Sequence, residues 1–316
     1  SEGDFSKVTP TSYSGFGKDF AKNEIDFFAK GREQTATMII EKKRSITKNG
    51  VDLKSPAEMI GEFNAVIFSP SHLSLIQEGP VNRRKFLDTA LCQLKPSYAR
   101  VLAKYNRALE QRNALLKDIQ FHSELYDTLD VWDDRLSSYA SAIVSERIKY
   151  TRLLSENCEE IYTGLSDGRE KLEIQYVNNT GLYNDDIYEI KDFLFERLRQ
   201  NRREDIFNKI TSIGPQRDDI DIKINSLSAR KFGSQGQQRS CALAMKLSEA
   251  NIIKDVTGEE PVILLDDVMS ELDVNRQDYI LNHLNSRQVF ITCCDPATVL
   301  RMCEGKTFHI EKGRLI

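Results

Sequence analysis

Two adjacent carboxylates, Asp266 and Asp267, directly follow the apolar run from Val262 to Leu265. Four apolar residues in a row predict a strand that is buried on both faces of a sheet. Ligands of open α/β sheets bind at the carboxyl ends of the strands, so this pair lies where a phosphate could reach it. For phosphoryl transfer, Asp266 would hold Mg²⁺ and its water shell, and Asp267 would orient or deprotonate the attacking water. The alternative is a solvated Asp pair that merely ends a buried strand.

A polar segment bracketed by Gly233 and Gly236 opens a helical pattern about thirty residues before the Asp pair. Glycines let backbone amides approach a phosphate closely, and the amino terminus of a helix favours negative charge. Ser234 and Gln235 lie between the two glycines and Gln237 follows them, so with Gly236 they are candidate nucleotide contacts. The alternative is a glycine-capped helix start that binds no ligand.

A third motif, the run Ser-Glu-Leu-Asp at 270–273, follows the Asp pair. The order and rough spacing of the three motifs are those of the signature, the Walker B strand and the D-loop of ABC ATPases. Three motifs in the correct order are far more specific than any one of them. They predict a nucleotide site in which Asp273 is a further contact and Asp266 is the magnesium ligand.

The stretches around these motifs alternate between strand and helix patterns. Near the amino terminus, the Asn49-Gly50 pair predicts a tight hairpin turn, and the run AVIF before Pro70 predicts a buried strand. From about residue 206 onward, strands are again separated by helices, which is typical of a sheet with parallel strands. We therefore predict an α/β fold, an ABC-ATPase-type P-loop head that is built from both chain ends.

The middle of the chain has helical periodicity. Apolar residues recur at helical spacing in three stripes, which begin at Tyr98, Leu129 and Ile187, and Pro96 marks the start of the first. Antiparallel packing of such helices predicts an inserted helical lobe. The predicted domains are the amino-terminal part of the head (1–80), the helical lobe (81–205) and the carboxyl-terminal part of the head (206–316).

Basic residues gather at the start of this lobe, although the net charge of the chain is −4. Those that lie opposite the apolar stripe would form an exposed basic face that could bind a duplex backbone. The candidate DNA contacts are Arg83, Arg84, Arg100, Lys104 and Arg107. One alternative is an ordinary solvated helix face. Another is that a second basic cluster binds the DNA, namely Arg197, Arg199, Arg202 and Arg203.

Composition argues against several classes of function. The apolar runs are far shorter than the ~18 residues that a membrane span needs. The amino terminus lacks the apolar segment of a signal peptide. We therefore expect no membrane partner and a cytoplasmic location. The six cysteines form no CxxC pair and the four histidines have no metal-ligand spacing, so we expect both sets to be structural.

The run SQGQQRSCALAMKLSEANIIKDVTGEEPVILLDDVMSELD resembles the carboxyl-terminal core of the RecF family of DNA repair proteins. The segments FSPSHLSLIQEGPVNRRKFLDTALCQLKPSYARVLAKYNRALEQRNALLK and GPQRDDIDIKIN also resemble that family, and the likeness extends over about residues 40–316. The resemblance implies ATP and Mg²⁺ as cofactors and a homodimer that closes around nucleotide. Ser234 and Gly236 would then contact ATP in trans, while Asp266 and Asp267 would act in cis.

The resemblance also implies partners: gapped or junction DNA, single- and double-stranded, and mediators of the RecR and RecO type. The role would be replication restart and recombinase loading in DNA recombination and the SOS response. A different SMC- or ABC-type repair ATPase is one alternative, although the long coiled-coil arms that would favour it are missing. A non-enzymatic scaffold that binds DNA or protein is another.

The sequence departs from the family pattern in two places. No Walker A loop (GxxxxGK[ST]) occurs in the 316 residues, so we expect these residues alone to bind no ATP and to be inactive. The loop could lie in a trimmed amino-terminal segment, which we favour because the other motifs are intact, or this homologue could be degenerate. Where many ABC proteins have a histidine after the next strand, this chain has Thr292, two cysteines and Asp295.

Overall fold

The computed structural model of the chain describes residues 21–41, 43–178, 181–182, 184–284, 287–294, 305–311 and 314–315. Asp295 and Cys303, for which the sequence raised expectations, lie outside this part of the chain. In the described ranges, no helix combines the length and the apolar character needed to cross a membrane.

Strands predominate in the amino-terminal part of the described chain, and helices predominate in its middle. The strands are β1 (Ala21–Ala29), β2 (Arg32–Ile40), β3 (Arg44–Lys48), β4 (Val51–Asp52), β5 (Ala65–Phe68), β6 (Leu172–Val177), β7 (Asp219–Ile224), β8 (Leu227–Ser228), β9 (Val262–Asp266), β10 (Val289–Thr292), β11 (Ile310–Glu311) and β12 (Arg314–Leu315). The α-helices are α1 (Ser74–Gln77), α2 (Pro80–Leu94), α3 (Pro96–Asp118), α4 (Leu129–Leu165), α5 (Ile187–Gln200), α6 (Arg202–Asn208), α7 (Ala229–Phe232), α8 (Gln235–Thr257) and α9 (Val274–Leu284).

A parallel sheet in the order β10-β9-β5 joins the two ends of the chain. Phe68 of β5 pairs with Leu265 of β9, and Thr292 of β10 pairs with Asp266. Ile263 and Leu265 of β9 are buried, and α8 packs against the sheet through β5. The predicted head that is assembled from both chain ends is therefore confirmed, with the helical lobe inserted between β5 and β9.

The amino-terminal strands form a separate antiparallel sheet in the order β1-β2-β3-β4. The predicted hairpin turn is present between β3 and β4, where Asn49 and Gly50 both have positive φ (52° and 77°). Asn and Gly tolerate this conformation, which matches the twist of the flanking strands. The side chain of Asn49 also accepts a hydrogen bond from the backbone N–H of Thr35 (2.9 Å), so the turn is fixed to β2.

The inserted lobe is built on α4, which has 37 residues and packs against α3, α5 and α8. The helix α3 begins at Pro96, as predicted. Tyr105, Leu136 and Leu194, one residue from each apolar stripe, are each 1% exposed, whereas Ile187 at the start of the third stripe is 43% exposed. The three predicted helical stripes are therefore correct.

One strand in the lobe was missed, and another lies in an unexpected sheet. The strand β6 falls within the region that was predicted to be helical, and it pairs antiparallel with β7. The segment DIDIKI of β7 lies in the sheet β6-β7-β8 and not in the parallel sheet. Every second residue of β7 is buried, a pattern typical of an antiparallel strand with one face on the core.

The core of the lobe contains a buried ion-pair cluster. Arg112 of α3 is completely buried and donates to Asp133 of α4 (2.7 Å) and to Asp205 of α6 (2.7 Å). Arg202 of α6 also pairs with Asp133 (2.6 Å). Because an unpaired buried charge is very costly, these four residues together fix the mutual arrangement of three helices.

Candidate nucleotide and DNA sites

Asp266 and Asp267 lie at the carboxyl edge of the parallel sheet, and both are exposed. Thr292 at the end of β10 donates its hydroxyl to Asp266 Oδ1 (2.7 Å). The backbone N–H of Asp267 donates to the carbonyl oxygen of Thr292 (3.1 Å), and Asp267 has a φ of 53°. The chain therefore turns sharply at Asp267 and presents two carboxylates at the edge where ligands of α/β sheets bind.

Two hydroxyl groups fix these carboxylates, and motif matching alone did not assign them a role. Thr292 orients Asp266, and Ser270 donates to Asp267 Oδ1 (3.1 Å). Thr292 is the first residue of the segment in which many ABC proteins have a histidine. No sequence signal identified it, because its pairing with Asp266 exists only in the folded sheet.

The signature segment forms a capped helix start. Ser234 is the N-cap of α8, and its side chain accepts from the backbone N–H of Gln237 (3.2 Å). The side chain of Gln237 accepts in return from the backbone N–H of Ser234 (2.7 Å). This capping box leaves the first N–H groups of the helix, at Gln235 and Gly236, without intrahelical acceptors. An approaching anion would meet these two amides.

The two glycines of this segment have different roles. A Cβ atom on Gly233 would lie 2.5 Å from the backbone oxygen of Ala229, so the close approach of α7 requires glycine there. A Cβ atom on Gly236 would meet only the guanidinium of Arg276, at 3.6 Å. Packing within this chain therefore does not explain Gly236, whereas close approach by a ligand would.

The D-loop lies beside the signature. Arg276 of α9, which faces Gly236, pairs with Asp273 (2.5 Å) and donates its backbone N–H to the same carboxylate (3.1 Å). Partial burial raises the pKa of Asp273, but these hydrogen bonds and the charge of Arg276 outweigh it and hold the pKa below its usual value. The structure thus brings the signature and Asp273 together on one face.

Sequence patterns did not indicate Glu170, which contacts the signature from the loop between α4 and β6. Its carboxylate accepts from the Gln237 side chain (2.6 Å) and from the hydroxyl of Tyr162 (2.7 Å). A separation of 67 residues along the chain leaves no local signal for such a contact.

The structure corrects one predicted DNA contact. Arg83 is only 5% exposed, pairs with Asp219 (2.6 Å) and donates to the backbone oxygen of Leu75 (3.1 Å). It joins α2 to β7, so the prediction that it contacts DNA is wrong. Arg84 is half-buried and donates to the backbone oxygen of Asp218 (2.7 Å), so it is largely engaged within the chain.

The remaining predicted contacts lie on one exposed face of α3. Arg100, Lys104 and Arg107 are exposed, while Tyr98 and Tyr105 on the opposite side are buried. Among the described residues, none of the three basic side chains has an ion-pair partner. We call Arg100, Lys104 and Arg107 the α3 basic face.

The alternative basic cluster is divided by the fold. Arg202 is buried in the ion-pair cluster of the lobe and Arg197 is half-buried. Only Arg199 and Arg203 are exposed, and Arg199 pairs with Glu196 (3.3 Å). The α3 basic face therefore offers more unpaired positive charge.

The cysteines and histidines in the described part of the chain show no arrangement suited to chemistry. Cys158 and Cys241 are fully buried, and burial raises the pKa of Cys158 to about 12. Cys92 is half-buried, and its pKa is raised to about 11 by burial and by the charge of Asp88. In the described part of the chain, no group of His, Cys, Asp and Glu forms a metal cluster.

A parallel sheet that ends in an Asp pair, a capped signature helix and an adjacent D-loop define an α/β head of the ABC ATPase kind. No family model matches the chain. The RecF DNA replication and repair protein of Acetivibrio thermocellus is 44% identical over 276 residues, which are 86% of this chain and 75% of that protein. The RecF of Agathobacter rectalis is 40% identical over 305 residues, 95% of this chain and 82% of that protein.

Two solved structures are similar over almost the whole chain. The recombination mediator protein RecF-ATPrS in the RecFOR pathway has a TM-score of 0.88 and 35% identity, covering 98% of this chain and 84% of that one. RecF-ATP in the same pathway has a TM-score of 0.85 and 35% identity, covering 95% of this chain and 82% of that one. The chain belongs to the RecF family, and its role is in DNA replication and repair.

Proposed function

We propose that this chain forms the signature-bearing and Walker B-bearing part of an ATP-dependent DNA clamp. The observation that carries the proposal is the exposed Asp pair at the sheet edge, in one fold with a signature whose helix amides are open to a ligand. The solved relatives are RecF-ATPrS and RecF-ATP, which supports ATP as the nucleotide.

The residues at the sheet edge fit a magnesium ion. Asp266 uses one oxygen to accept from Thr292, and its other oxygen has no partner among the described residues. Mg²⁺ is usually held by one or two carboxylates together with water and substrate phosphates, so a single carboxylate is sufficient here. Bound at this place, the ion would supply charge neutralisation to the phosphates.

The protein's own groups supply the rest of the mechanism. Thr292 keeps Asp266 oriented toward the edge of the sheet, and Ser270 keeps Asp267 in position to accept a proton from water. The amides of Gln235 and Gly236 would bind the phosphates held by a second copy of the chain. Nucleotide contacts would then exist only in the closed dimer, so ATP would shift the population toward closure.

Replacing Asp266 with asparagine is expected to abolish most hydrolysis. The neutral side chain still fits beside Thr292, but it binds a divalent cation poorly, and the rate should fall on the order of 10²-fold or more. The measurement is steady-state phosphate release, in a version of the chain extended at its amino terminus with a family phosphate-binding loop. The matched control is Asp255→Asn on the exposed end of α8, which should leave the rate unchanged. Equal rates for both variants would contradict the assignment.

We further propose that duplex DNA contacts the α3 basic face. The double variant Arg100→Glu and Lys104→Glu should weaken DNA binding. The negative slope of the logarithm of the binding constant against the logarithm of the salt concentration should become smaller in magnitude by about 2, because two phosphate contacts are lost. The measurement is fluorescence anisotropy of a labelled duplex at several salt concentrations. Arg199→Glu with Arg203→Glu is the control of equal charge. If only the Arg199→Glu and Arg203→Glu variant loses DNA binding, the DNA contacts the face that carries Arg199 and Arg203 and not the α3 basic face.

Nucleotide-independent binding of DNA or protein is the second candidate function. The lack of a GxxxxGK[ST] pattern in these 316 residues favours it. Titration of ATP into this chain and into the extended version separates the two functions, because only the first candidate requires ATP to strengthen dimer formation and DNA binding. Cooperation with mediators of the RecR and RecO type in recombinase loading belongs to the first candidate.

A further inference from the structure

A carboxylate that is not part of any recognised motif holds the signature in place. Glu170 lies in the loop after α4 and accepts from Gln237 (2.6 Å) and from Tyr162 (2.7 Å). Tyr162 is in the last turns of α4 and is completely buried. Glu170 has no ion-pair partner among the described residues, so these two donors are the main stabilisation of its charge.

The same hydrogen bonds reach the capping box of the signature helix. Gln237 uses its side-chain oxygen for the backbone N–H of Ser234 and its side-chain nitrogen for Glu170. One side chain therefore closes the helix start and attaches it to the end of α4. A shift of α4 would be transmitted directly to the amides of Gln235 and Gly236.

A second contact joins the end of α4 to the helix that follows the D-loop. A Cβ atom on Gly164 would lie 2.2 Å from the ring of Tyr279, so this ring of α9 packs directly on the α4 backbone. The same helix α9 carries Arg276, which faces Gly236 and pairs with Asp273. Both motifs that would face the second copy thus rest on the carboxyl end of α4.

The other end of α4 belongs to the lobe. With 37 residues, α4 spans about 55 Å at 1.5 Å per residue. Its packing on α3 places it behind the α3 basic face, and Arg147 of α4 pairs with Asp88 of α2 (2.8 Å). One rigid element therefore extends from the proposed DNA face to the signature.

We propose that Glu170 is a positioning residue that couples the lobe to the signature, through its paired hydrogen bonds to Tyr162 and Gln237. The coupling rests on the proposed function, because it joins the DNA face to the nucleotide-facing amides. Glu170 itself contacts no nucleotide in this scheme. Its role is to hold the helix start in the orientation that closure needs, and to change that orientation when DNA shifts α4.

Hydrogen exchange of the chain as it stands tests the positioning. In Glu170→Ala, the amides at 234–238 should exchange at least about tenfold faster, because a charge-assisted hydrogen bond is lost. Glu170→Gln keeps an acceptor for one of the two donors and should give an intermediate rate. Glu173→Ala, a nearby half-buried glutamate that pairs with Lys171, is the control and should have no effect. Unchanged exchange in Glu170→Ala overturns the proposal, whatever the activity of the protein.

A second measurement tests the coupling. Duplex DNA should alter exchange at 234–238 in the unmodified chain and leave it unaltered in Glu170→Ala, while both bind the duplex equally in anisotropy. An equal DNA response in both proteins overturns the coupling. If the duplex binds neither protein, the proposed DNA function fails, and the exchange rates without DNA still decide whether Glu170 positions the signature.

Discussion

Replacing Arg112 with methionine is expected to lower the free energy of unfolding by ~3–5 kcal/mol. The methionine fills similar volume, but Asp205 would remain buried without its cation, and Asp133 would keep only Arg202. Removing one member of a buried ion pair costs much more than the pair contributes, because the remaining charge stays desolvated. Chemical denaturation followed by circular dichroism measures the loss.

A combined variant separates lost charge balance from lost packing. Arg112→Met together with Asp205→Asn removes the carboxylate that would have no cation left, while Asp133 keeps Arg202 as its partner, so much of the stability should return. The matched control is Arg107→Met, an exposed arginine on the same helix, for which a change within about 0.5 kcal/mol is expected. If Arg112→Met lowered the free energy of unfolding no more than Arg107→Met does, the buried ion-pair cluster would not stabilise the lobe.

The architecture could be predicted from the sequence where local patterns determine it. The Asn49-Gly50 turn, the proline start of α3 and the apolar run of β9 each depend on residues close in the chain. The sheet that joins β5 to β9 was also predictable, because both runs are apolar. The strand β6 was missed because its six residues lie among long helices and its partner β7 comes more than forty residues later.

Functional residues, too, could be predicted only where residues close in the chain identify them. Asp266, Ser234 and Gly236 could be found because their motifs are local. The error at Arg83 arose because a basic residue next to others suggests a surface, whereas its partner Asp219 lies 136 residues away. Glu170 carried no signal for a similar reason, since only the fold brings it to Gln237. Long-range pairing of charges therefore limits what a single sequence can predict.

Replacing Gly236 with aspartate is expected to abolish ATP-dependent association without unfolding the chain. A Cβ atom has room beside Arg276, and an acidic residue is favourable in the first turn of a helix. The new carboxylate would, however, face the phosphates held by the second copy. Opposed like charges at an interface cost several kcal/mol, so association should weaken on the order of 10²–10³-fold.

Two comparisons isolate the cause of that effect. Gly236→Ala adds bulk without charge. If it weakens association less than Gly236→Asp does, the difference between the two variants is due to charge repulsion. The midpoint temperature of thermal unfolding should be equal to that of the unmodified chain or slightly higher for both variants. Alanine and aspartate restrict the unfolded chain more than glycine does. The association is measured by sedimentation with ATP, in the version extended with a phosphate-binding loop. Full ATP-dependent association of Gly236→Asp would mean that the signature does not face nucleotide.

Mixing two inactive variants tests whether the signature acts in trans. A Gly236→Asp copy keeps its own Asp266, and an Asp266→Asn copy keeps its own signature. If each site takes the Asp pair from one copy and the signature from the other, a mixed dimer has one intact site. Each mixed dimer has one of its two sites intact, so the mixture should recover an ATPase rate well above that of either variant alone. If both motifs served the same site from one copy, the mixture would stay as inactive as its components.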